Sequence, residues 1–167
     1  MAVNLRYETA ADIAQIHEVN ERAFGQPGEA DLVDALREQA SPFLSIVADD
    51  GGAIVGHICF TPVIIESTDR LIMGLAPMAV APERQKQGIG SQLVRFGLDE
   101  CRRAGAVAVV VLGHPEYYPR FGFRPASPIG LRSEYDVSDP VFMVLALTPG
   151  VDLRGIARYH EAFADIE

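Results

Sequence analysis

The sequence predicts a mixed α/β fold of the α+β type, in which helices flank a twisted, mostly antiparallel sheet. Apolar segments separated by short polar turns predict consecutive antiparallel strands over 43–48, 53–65 and 71–80. A strongly amphipathic segment follows at 88–103, and an unbroken apolar run, typical of a parallel strand covered on both faces, comes next at 107–112. The last strand, the helix and the apolar run therefore predict one right-handed βαβ unit.

The N-terminal part predicts a short strand followed by two helices. Residues 3–7 are expected to form the opening strand. The spacing of Thr9 and Asp12 resembles a capping box with Asp in place of Glu, which favours a helix over 10–24. A second helical pattern covers 30–39.

The long strand at 53–65 shows the side-chain alternation of a sheet. One face is expected to hold Ile54, Ile58, Phe60 and Ile64. The other face is expected to hold Val55, His57, Cys59, Thr61 and Val63. Pro62 predicts a bulge or an edge position, because proline cannot donate a hydrogen bond to a strand ladder.

The helix at 88–103 is expected to bury one stripe of its surface. The stripe consists of Ile89, Leu93, Val94, Gly97, Leu98 and Cys101. A last strand is predicted over 141–147. Beyond it, Ile156, Tyr159 and Phe163 are candidates to pack back on the core.

The composition is that of an acidic globular chain. Its 167 residues match one domain, and 14 Lys and Arg against 23 Asp and Glu give a formal net charge of −9. This charge argues against nucleic acid or an anionic membrane as a partner and weakly favours a cationic substrate. We expect a single domain over 1–167, with a core at 3–148 and a C-terminal extension at 149–167.

The cysteine and histidine positions predict neither a disulfide nor a metal site. Cys59 and Cys101 lie far apart in apolar surroundings, so two buried thiols are expected. The four histidines lack a metal-ligand spacing such as HxxxH. The first residues lack the apolar run of a signal peptide, and no apolar run reaches the roughly 18 residues of a membrane span, so a cytoplasmic protein is expected.

The segment 85–91 combines a short basic loop with glycines that open the helix at 88–103. The first N–H groups of a helix lack intrahelical partners and carry a partial positive charge. Glycines let a ligand approach that backbone closely. The segment therefore predicts an anion site, most naturally for a phosphate or a pyrophosphate.

Two common nucleotide motifs do not fit this segment. A Walker A loop requires a lysine after its last glycine, and no lysine follows Gly88 or Gly90. A dinucleotide-binding turn requires a third glycine, but Ser91-Gln92-Leu93 follows Gly90. It also requires an acidic residue after the next strand, where this chain has Gly113-His114.

The residues at 85–90, Gln-Lys-Gln-Gly-Ile-Gly, do fit the pattern Gln/Arg-x-x-Gly-x-Gly. That pattern resembles the acetyl-CoA-binding motif of the GNAT N-acetyltransferase superfamily. The lead-in at 79–83 and the run Tyr118-x-x-x-Gly122-Phe123 resemble two further motifs of the family. The run at 113–123 is similar to a bacterial subgroup of predicted N-acetyltransferases, and the whole resemblance covers about residues 3–148.

The resemblance implies the GNAT-like acyl-CoA N-acyltransferase fold and transfer of an acetyl group from acetyl-CoA to a primary amine by direct attack. The acceptor would be a small-molecule or peptide amine, and a homodimer is common in the family. Backbone groups would hold the cofactor at Met78, Ala79, Val80, Gln85, Lys86, Gln87, Gly88, Ile89, Gly90 and Ser91. A backbone N–H near Met78 would also hold the acetyl oxygen as charge builds on it.

The resemblance makes Tyr118 the general acid that protonates the leaving CoA thiolate. A phenol with a pKa of about 10 can donate to a thiolate whose conjugate acid has a pKa near 8.5. Aromatic packing is the alternative role for Tyr118, and the adjacent Tyr117 is an alternative acid. The general base is left open among His57, Glu66, His114 and Glu116.

Two rival functions are also open. The chain can be a non-catalytic module that senses acyl-CoA, or a transferase for a longer acyl-CoA. A sensor has no need of a thiolate acid, so Tyr118 favours the enzyme. The acceptor is expected to be selected by residues 24–42, the hairpin turns and residues 124–140.

Overall fold

A computed structural model describes residues 2–135, 137 and 141–165. Its helices are α1 (Ile13–Phe24), α2 (Gly28–Gln39) and α3 (Ile89–Arg103). Its strands are β1 (Asn4–Tyr7), β2 (Leu44–Asp50), β3 (Ala53–Ile65), β4 (Ile72–Val80), β5 (Ala108–Leu112), β6 (Arg124–Pro125), β7 (Leu131–Ser133), β8 (Phe142–Ala146) and β9 (Gly155–Arg158). No helix in this described part is long and apolar enough to cross a membrane.

The strands form a mixed, mostly antiparallel sheet. The order along the sheet is β1-β2-β3-β4-β5-β8-β6, and β9 pairs with both β3 and β7. The β4–β5 and β7–β9 pairs are parallel, whereas the other pairs are antiparallel. Because α3 connects β4 to its parallel neighbour β5, the predicted fold class and its βαβ unit are confirmed.

Helix α3 covers one face of the sheet with the predicted stripe, all six residues of which are buried. The stripe shares a core cluster with Ile46, Ile58 and Phe60 of β2 and β3. Gly97 lets the helix approach closely, because a Cβ there would lie 2.3 Å from Cε1 of Phe60. Helices α1 and α2 pack on the opposite face, where Ile16 and Leu36 join a second cluster.

The predicted faces of β3 are wrong at the start of the strand. Ile54 packs in the cluster of α1 and α2, whereas Val55 packs with Ile58 and Phe60 in the cluster of α3. The β2–β3 register steps from Gly56 to Ile54 while β2 advances by one residue, so Val55 is the extra residue of a β-bulge. The bulge exchanges the two faces.

Pro62 lies at an edge, as one of the two predicted alternatives requires. The pairing of β2 with β3 ends at Phe60, so the side of Pro62 that faces β2 has no partner strand in the described part of the chain. Its other side pairs in register with Met73 of β4.

Strand β4 is irregular near its end. Between the pairs Ile58–Met78 and Phe60–Leu75, β3 advances by two residues and β4 by three, which places a bulge at 76–77. The pairing of β4 with β5 covers only residues 72–74 of β4. Beyond the bulge, β4 continues without β5 as a neighbour in the ladder.

The C-terminal segment packs back on the sheet. Strand β9 pairs with the last residues of β3, and Tyr159 and Phe163 join the core cluster beside it, as predicted. Gly74 makes room for the tyrosine ring, because a Cβ there would lie 2.8 Å from Cε2 of Tyr159. Ile156 instead lines a surface cavity with Arg132 and Arg158.

A buried polar chain joins α1 to the hairpin of β2 and β3. The Nδ2 atom of Asn20 lies 3.2 Å from Nδ1 of His57, whose Nε2 lies 2.8 Å from the hydroxyl of Ser45. That hydroxyl donates to Glu8, which pairs with Arg37. The direction of these bonds assigns His57 as a neutral ring with its proton on Nε2.

His57 makes stability depend on pH. Burial, together with the charge of Arg37, lowers the pKa of His57 to about 3 from 6.5. Between pH 3 and pH 6.5 the unfolded chain binds a proton at this histidine and the folded chain does not. The free energy of unfolding therefore falls by about 2 kcal/mol from pH 7.5 to pH 5. Chemical denaturation of wild type and His57→Gln at both values measures this effect.

We expect His57→Gln to start less stable than wild type but to lose less stability at pH 5. Equal pH dependence in wild type and His57→Gln would contradict the assignment.

Candidate active site

Two clefts lie where β4 and β5 part. The loop cleft, of about 420 Å³, is lined by Val80, Arg84, Gln85, Lys86, Gly88, Ile89, Gly90, Ser91, Tyr117 and Arg120. The apolar cavity, of about 410 Å³, is lined by Phe24, Glu29, Leu32, Leu75, Ala76, Pro77, Met78, Leu112, Gly113, His114, Tyr118 and Phe163. The two clefts are therefore neighbours: Tyr117 and Val80 line the loop cleft, and Tyr118 and Met78 line the apolar cavity.

The floor of the loop cleft is the start of α3. The first hydrogen bond onto this turn runs from the N–H of Gln92 to the carbonyl of Gly88, so the preceding N–H groups have no intrahelical acceptor. Gly88 has φ +86°, a conformation that favours glycine. A Cβ on Gly90 would point at the hydroxyl of Tyr117, 3.5 Å away, so glycine keeps the cleft open.

The opposite wall is the turn that holds Tyr117 and Arg120. The hydroxyl of Tyr117 lies 2.9 Å from that of Ser91 at the start of α3. The guanidinium of Arg120 covers the Tyr117 ring at 4.6 Å, and its Nε donates to the Tyr117 carbonyl at 2.8 Å. The turn therefore places a cation across the cleft from the helix start.

The sequence reasoning did not find Arg84, Tyr117 and Arg120 as parts of the loop cleft. Tyr117 and Arg120 stand three residues apart, a spacing that brings two side chains together wherever the chain is helical, so this spacing could have indicated the last two. Arg84 gave no such signal, because it is held by an ion pair with Asp50, a residue of the β2–β3 hairpin.

The predicted cofactor residues divide between the clefts. The loop cleft is lined by Val80, Gln85, Lys86, Gly88, Ile89, Gly90 and Ser91. Met78 lines the apolar cavity. Ala79 is 2% exposed and pairs with His57 of β3. The side chain of Gln87 accepts a hydrogen bond from Nε of Arg84, outside the lining of the two clefts.

The backbone of β4 presents a free edge between the clefts. The N–H of Ala81 donates to the carbonyl of Val55, which makes Val80–Gly56 a non-hydrogen-bonded pair of the β3–β4 ladder. By alternation, Ala79 bonds to β3, whereas the backbone groups of Met78 and Val80 point the other way. The Val80 carbonyl accordingly accepts a hydrogen bond from the Gln85 side chain.

Tyr118 lines the apolar cavity from the start of a short 3₁₀ turn, Tyr118–Phe121. Its ring packs edge-on against Tyr117 and Phe123, with centroids 5.1 Å and 5.7 Å away. The ring also lies on Gly113, where a Cβ would be 2.3 Å from Cε2 of Tyr118. Burial, with a smaller effect of Tyr117, raises the pKa of Tyr118 to about 12. The phenol therefore keeps its proton at neutral pH.

The structure separates the four candidate bases. His114 lines the apolar cavity with Tyr118. His57 is fully buried in the polar chain between α1 and the hairpin, on the far side of the sheet from α3. Glu66 and Glu116 are exposed and do not line the cavity. Of the four, His114 alone shares a cavity with Tyr118.

Glu29 is a cavity residue that the sequence reasoning named only within the range 24–42. It lies in the first turn of α2, where its carboxylate accepts a hydrogen bond from Gln26 at 3.1 Å. Phe163 reaches the same cavity from the C-terminal segment. Neither residue stands in a motif, so no local pattern in the sequence identifies them.

The two cysteines are free and buried, as predicted. The thiol of Cys59 lies 3.3 Å from the carbonyl of Ala76, and burial raises its pKa above the usual range. Burial also raises the pKa of Cys101 to about 12. Because a thiolate is the nucleophilic form, neither side chain is suited to a covalent step.

His17, Asp31 and Asp34 bring their ligand atoms within 4.8 Å of one another on the outside of α1 and α2. Asp34 is already engaged, with His17 at 2.8 Å and Arg37 at 3.0 Å. The cluster therefore forms part of an ion-pair network between the helices.

Comparisons with known proteins agree with this geometry. A family model for the acetyltransferase (GNAT) domain matches residues 4–126. The uncharacterized N-acetyltransferase YhbS of Escherichia coli K12 is 37% identical over 162 residues, which cover 95% of this chain and 97% of that protein.

Two crystal structures are similar over nearly the whole chain. The GNAT family N-acetyltransferase YhbS from Escherichia coli, in complex with CoA, has a TM-score of 0.91 and 36% identity, covering 100% of this chain and 94% of that one. A GNAT family acetyltransferase from Brucella melitensis, in complex with acetyl-CoA, has a TM-score of 0.81 and 39% identity, covering 96% and 97%. The chain belongs to the GNAT family of N-acetyltransferases.

Proposed function

We propose that the protein transfers the acetyl group of acetyl-CoA to a primary amine by direct attack, with Tyr118 as general acid and His114 as general base. The observation that carries the proposal is the position of Tyr118 and His114 in one cavity, at the free edge of β4 and beside the loop cleft. Relatives crystallised with CoA and with acetyl-CoA support the choice of cosubstrate.

The residues of the loop cleft fit a pyrophosphate. The first N–H groups of α3 lack intrahelical acceptors and belong to residues that line this cleft, and glycine at position 90 leaves the space that a Cβ would fill. Lys86 and Arg120 supply positive charge in the lining. The backbone groups of Met78 and the N–H of Val80 can pair with the amide groups of the pantetheine as an added strand would, whereas the Val80 carbonyl is taken by Gln85.

Bound acetyl-CoA supplies an activated thioester carbonyl. His114 accepts a proton from the amine, which frees the nitrogen lone pair for attack. The Met78 N–H stabilises the negative charge that develops on the carbonyl oxygen. Tyr118 donates its proton to the sulfur as the C–S bond breaks and the C–N bond has formed.

We expect His114→Gln to lower kcat/KM by about 30-fold at pH 7, because the amine loses its proton acceptor. Higher pH supplies the free amine directly, so the deficit should shrink toward pH 9.5. The measurement is initial thiol release at both values, with Glu116→Gln as the matched variant outside the cavity. A deficit that does not change with pH would contradict the role of a base.

The overall proposal is tested by thiol release from acetyl-CoA with pooled primary amines. Turnover with at least one acceptor is expected, and a mass increase of one acetyl group on that acceptor identifies the product. Tight CoA binding without turnover on any acceptor would instead favour the acyl-CoA sensor. Parallel assays with acetyl-CoA and hexanoyl-CoA test the preference for acyl-chain length.

We also propose that residues 1–167 act as one domain, which β9 and Phe163 support by packing against β3 and lining the cavity. A cytoplasmic location is supported by two free thiols. The homodimer stays a prediction, which light scattering after size exclusion checks directly.

A further inference from the structure

The apolar cavity has features that the chemistry of acetyl transfer does not require. Its walls away from Tyr118 come from the end of α1, the start of α2 and the C-terminal segment. These walls are Phe24, Leu32 and Phe163, together with Leu75 and Leu112 from the parting strands. None of these side chains offers a hydrogen bond to a bound molecule.

Glu29 is the exception in this lining, and it supplies the cavity's one carboxylate among the described residues. It is half-buried in the first turn of α2, where the helix dipole favours a negative charge. The amide of Gln26 donates to one carboxylate oxygen at 3.1 Å, which orients the group and leaves further acceptor positions. A charged amine is the complementary ligand for such a group.

Phe24 indicates what surrounds the charged end of the ligand. It is the last residue of α1, and its ring is 40% exposed although it lines the cavity. An aromatic ring exposed at a cavity wall gains free energy when an apolar ligand covers it. Leu32 and Phe163 continue the same apolar surface.

We infer that the acceptor is a small primary amine with a compact apolar body, such as an arylalkylamine or a branched alkylamine. Glu29 receives the ammonium group, and Phe24, Leu32 and Phe163 enclose the body. The inference rests on the proposed function, because it assigns the acceptor of that same site. Amino sugars and polyamines fit poorly, since their further polar groups would lose water without gaining partners on these walls.

The first experiment compares kcat/KM with acetyl-CoA for 2-phenylethylamine, 3-methylbutylamine, spermidine and glucosamine. The value of kcat/KM should be about tenfold or more higher for the two apolar amines, because burying one or two apolar groups changes kcat/KM by that much. Preference for spermidine or glucosamine would overturn the inference while leaving acetyl transfer intact.

The second experiment tests Glu29 with the preferred amine. Glu29→Gln should raise KM about tenfold and change kcat by less than about threefold, because the charge acts on binding. The matched variant Glu38→Gln removes the same charge from the exposed far end of α2 and should leave both constants unchanged. Equal effects of the two variants would show a general effect of charge and overturn the role of Glu29.

The third experiment tests the apolar wall. Phe24→Ala should raise KM for 2-phenylethylamine about fivefold and for methylamine hardly at all. Ile129→Ala is the matched variant, because it shortens an exposed apolar side chain outside this cavity. The inference fails if Phe24→Ala raises KM equally for both amines.

Two further outcomes separate this inference from the proposed function. If CoA binds but no amine turns over, calorimetry of 2-phenylethylamine with the CoA-loaded protein still tests Glu29. Tighter binding of the amine to wild type than to Glu29→Gln supports the inference, and equal binding overturns it. If hexanoyl-CoA is preferred over acetyl-CoA and Phe24→Ala removes that preference, the cavity holds an acyl chain, and the inference is wrong.

Discussion

Tyr118→Phe should lower kcat about 100-fold and leave the dissociation constant of CoA within about twofold. The ring that packs on Gly113, Tyr117 and Phe123 is retained, so the local fold is preserved and only the hydroxyl is lost. Without that proton, the sulfur leaves as an unprotonated thiolate, which raises the barrier by about 2.7 kcal/mol. Stopped-time thiol release at saturating substrates measures kcat, and calorimetry measures CoA binding.

Tyr117→Phe is the matched control, because it removes the same hydroxyl from the adjacent ring. That hydroxyl contacts Ser91 in the loop cleft, so its loss should weaken CoA binding more than it lowers kcat. The opposite pattern in the two variants would exchange the roles of the tyrosines. An unchanged kcat in Tyr118→Phe would reduce Tyr118 to a packing residue.

Gly90→Trp should abolish measurable CoA binding, a loss of at least about 100-fold. A Cβ at position 90 already points at Tyr117 and Met78, 3.5 Å and 3.6 Å away. An indole ring attached there must enter the loop cleft and cover the N–H groups at the start of α3. Calorimetry with CoA measures the loss, and circular dichroism with thermal unfolding shows that the domain is still folded.

Gln92→Trp places the same side chain two residues further along α3, at an exposed position outside the loop cleft. CoA affinity should stay within about twofold of wild type, because the indole then projects into solvent. If Gly90→Trp binds CoA as wild type does, the cofactor does not occupy this cleft, and the assignment of the loop is wrong.

Patterns within short stretches of sequence predicted the helix α3 and the loop before it, because neighbouring residues determine both structures. The stripe of α3 was correct at every position, because fifteen helical residues repeat one periodic pattern against the sheet. The loop was recognisable because Gly88 supplies the left-handed backbone and Gly90 keeps the cleft open. In contrast, the bulge at Val55 leaves no mark in composition, so the faces of β3 were exchanged there.

The acceptor side of the site lay beyond such reasoning. Glu29, His114 and Phe163 are far apart in sequence and meet only because α2, the turn after β5 and the C-terminal segment converge. No spacing rule connects them. His57 was a candidate base that the structure places in the core. A histidine within a strand can face either a cleft or the core, and the contacts with Asn20 and Ser45 show that His57 faces the core.

Because β4 pairs with β5 over only three residues, the sheet is joined between these strands at one end and open at the other. Only the pairs at Ile72, Met73 and Gly74 of β4 join the two halves in the main ladder. Strand β9 reinforces the closed end, because it bonds to the end of β3 and to β7. The C-terminal strand thus ties together the end of the sheet at which β4 and β5 are paired, and a molecule that pairs with Met78 and Val80 fills the gap at the other end.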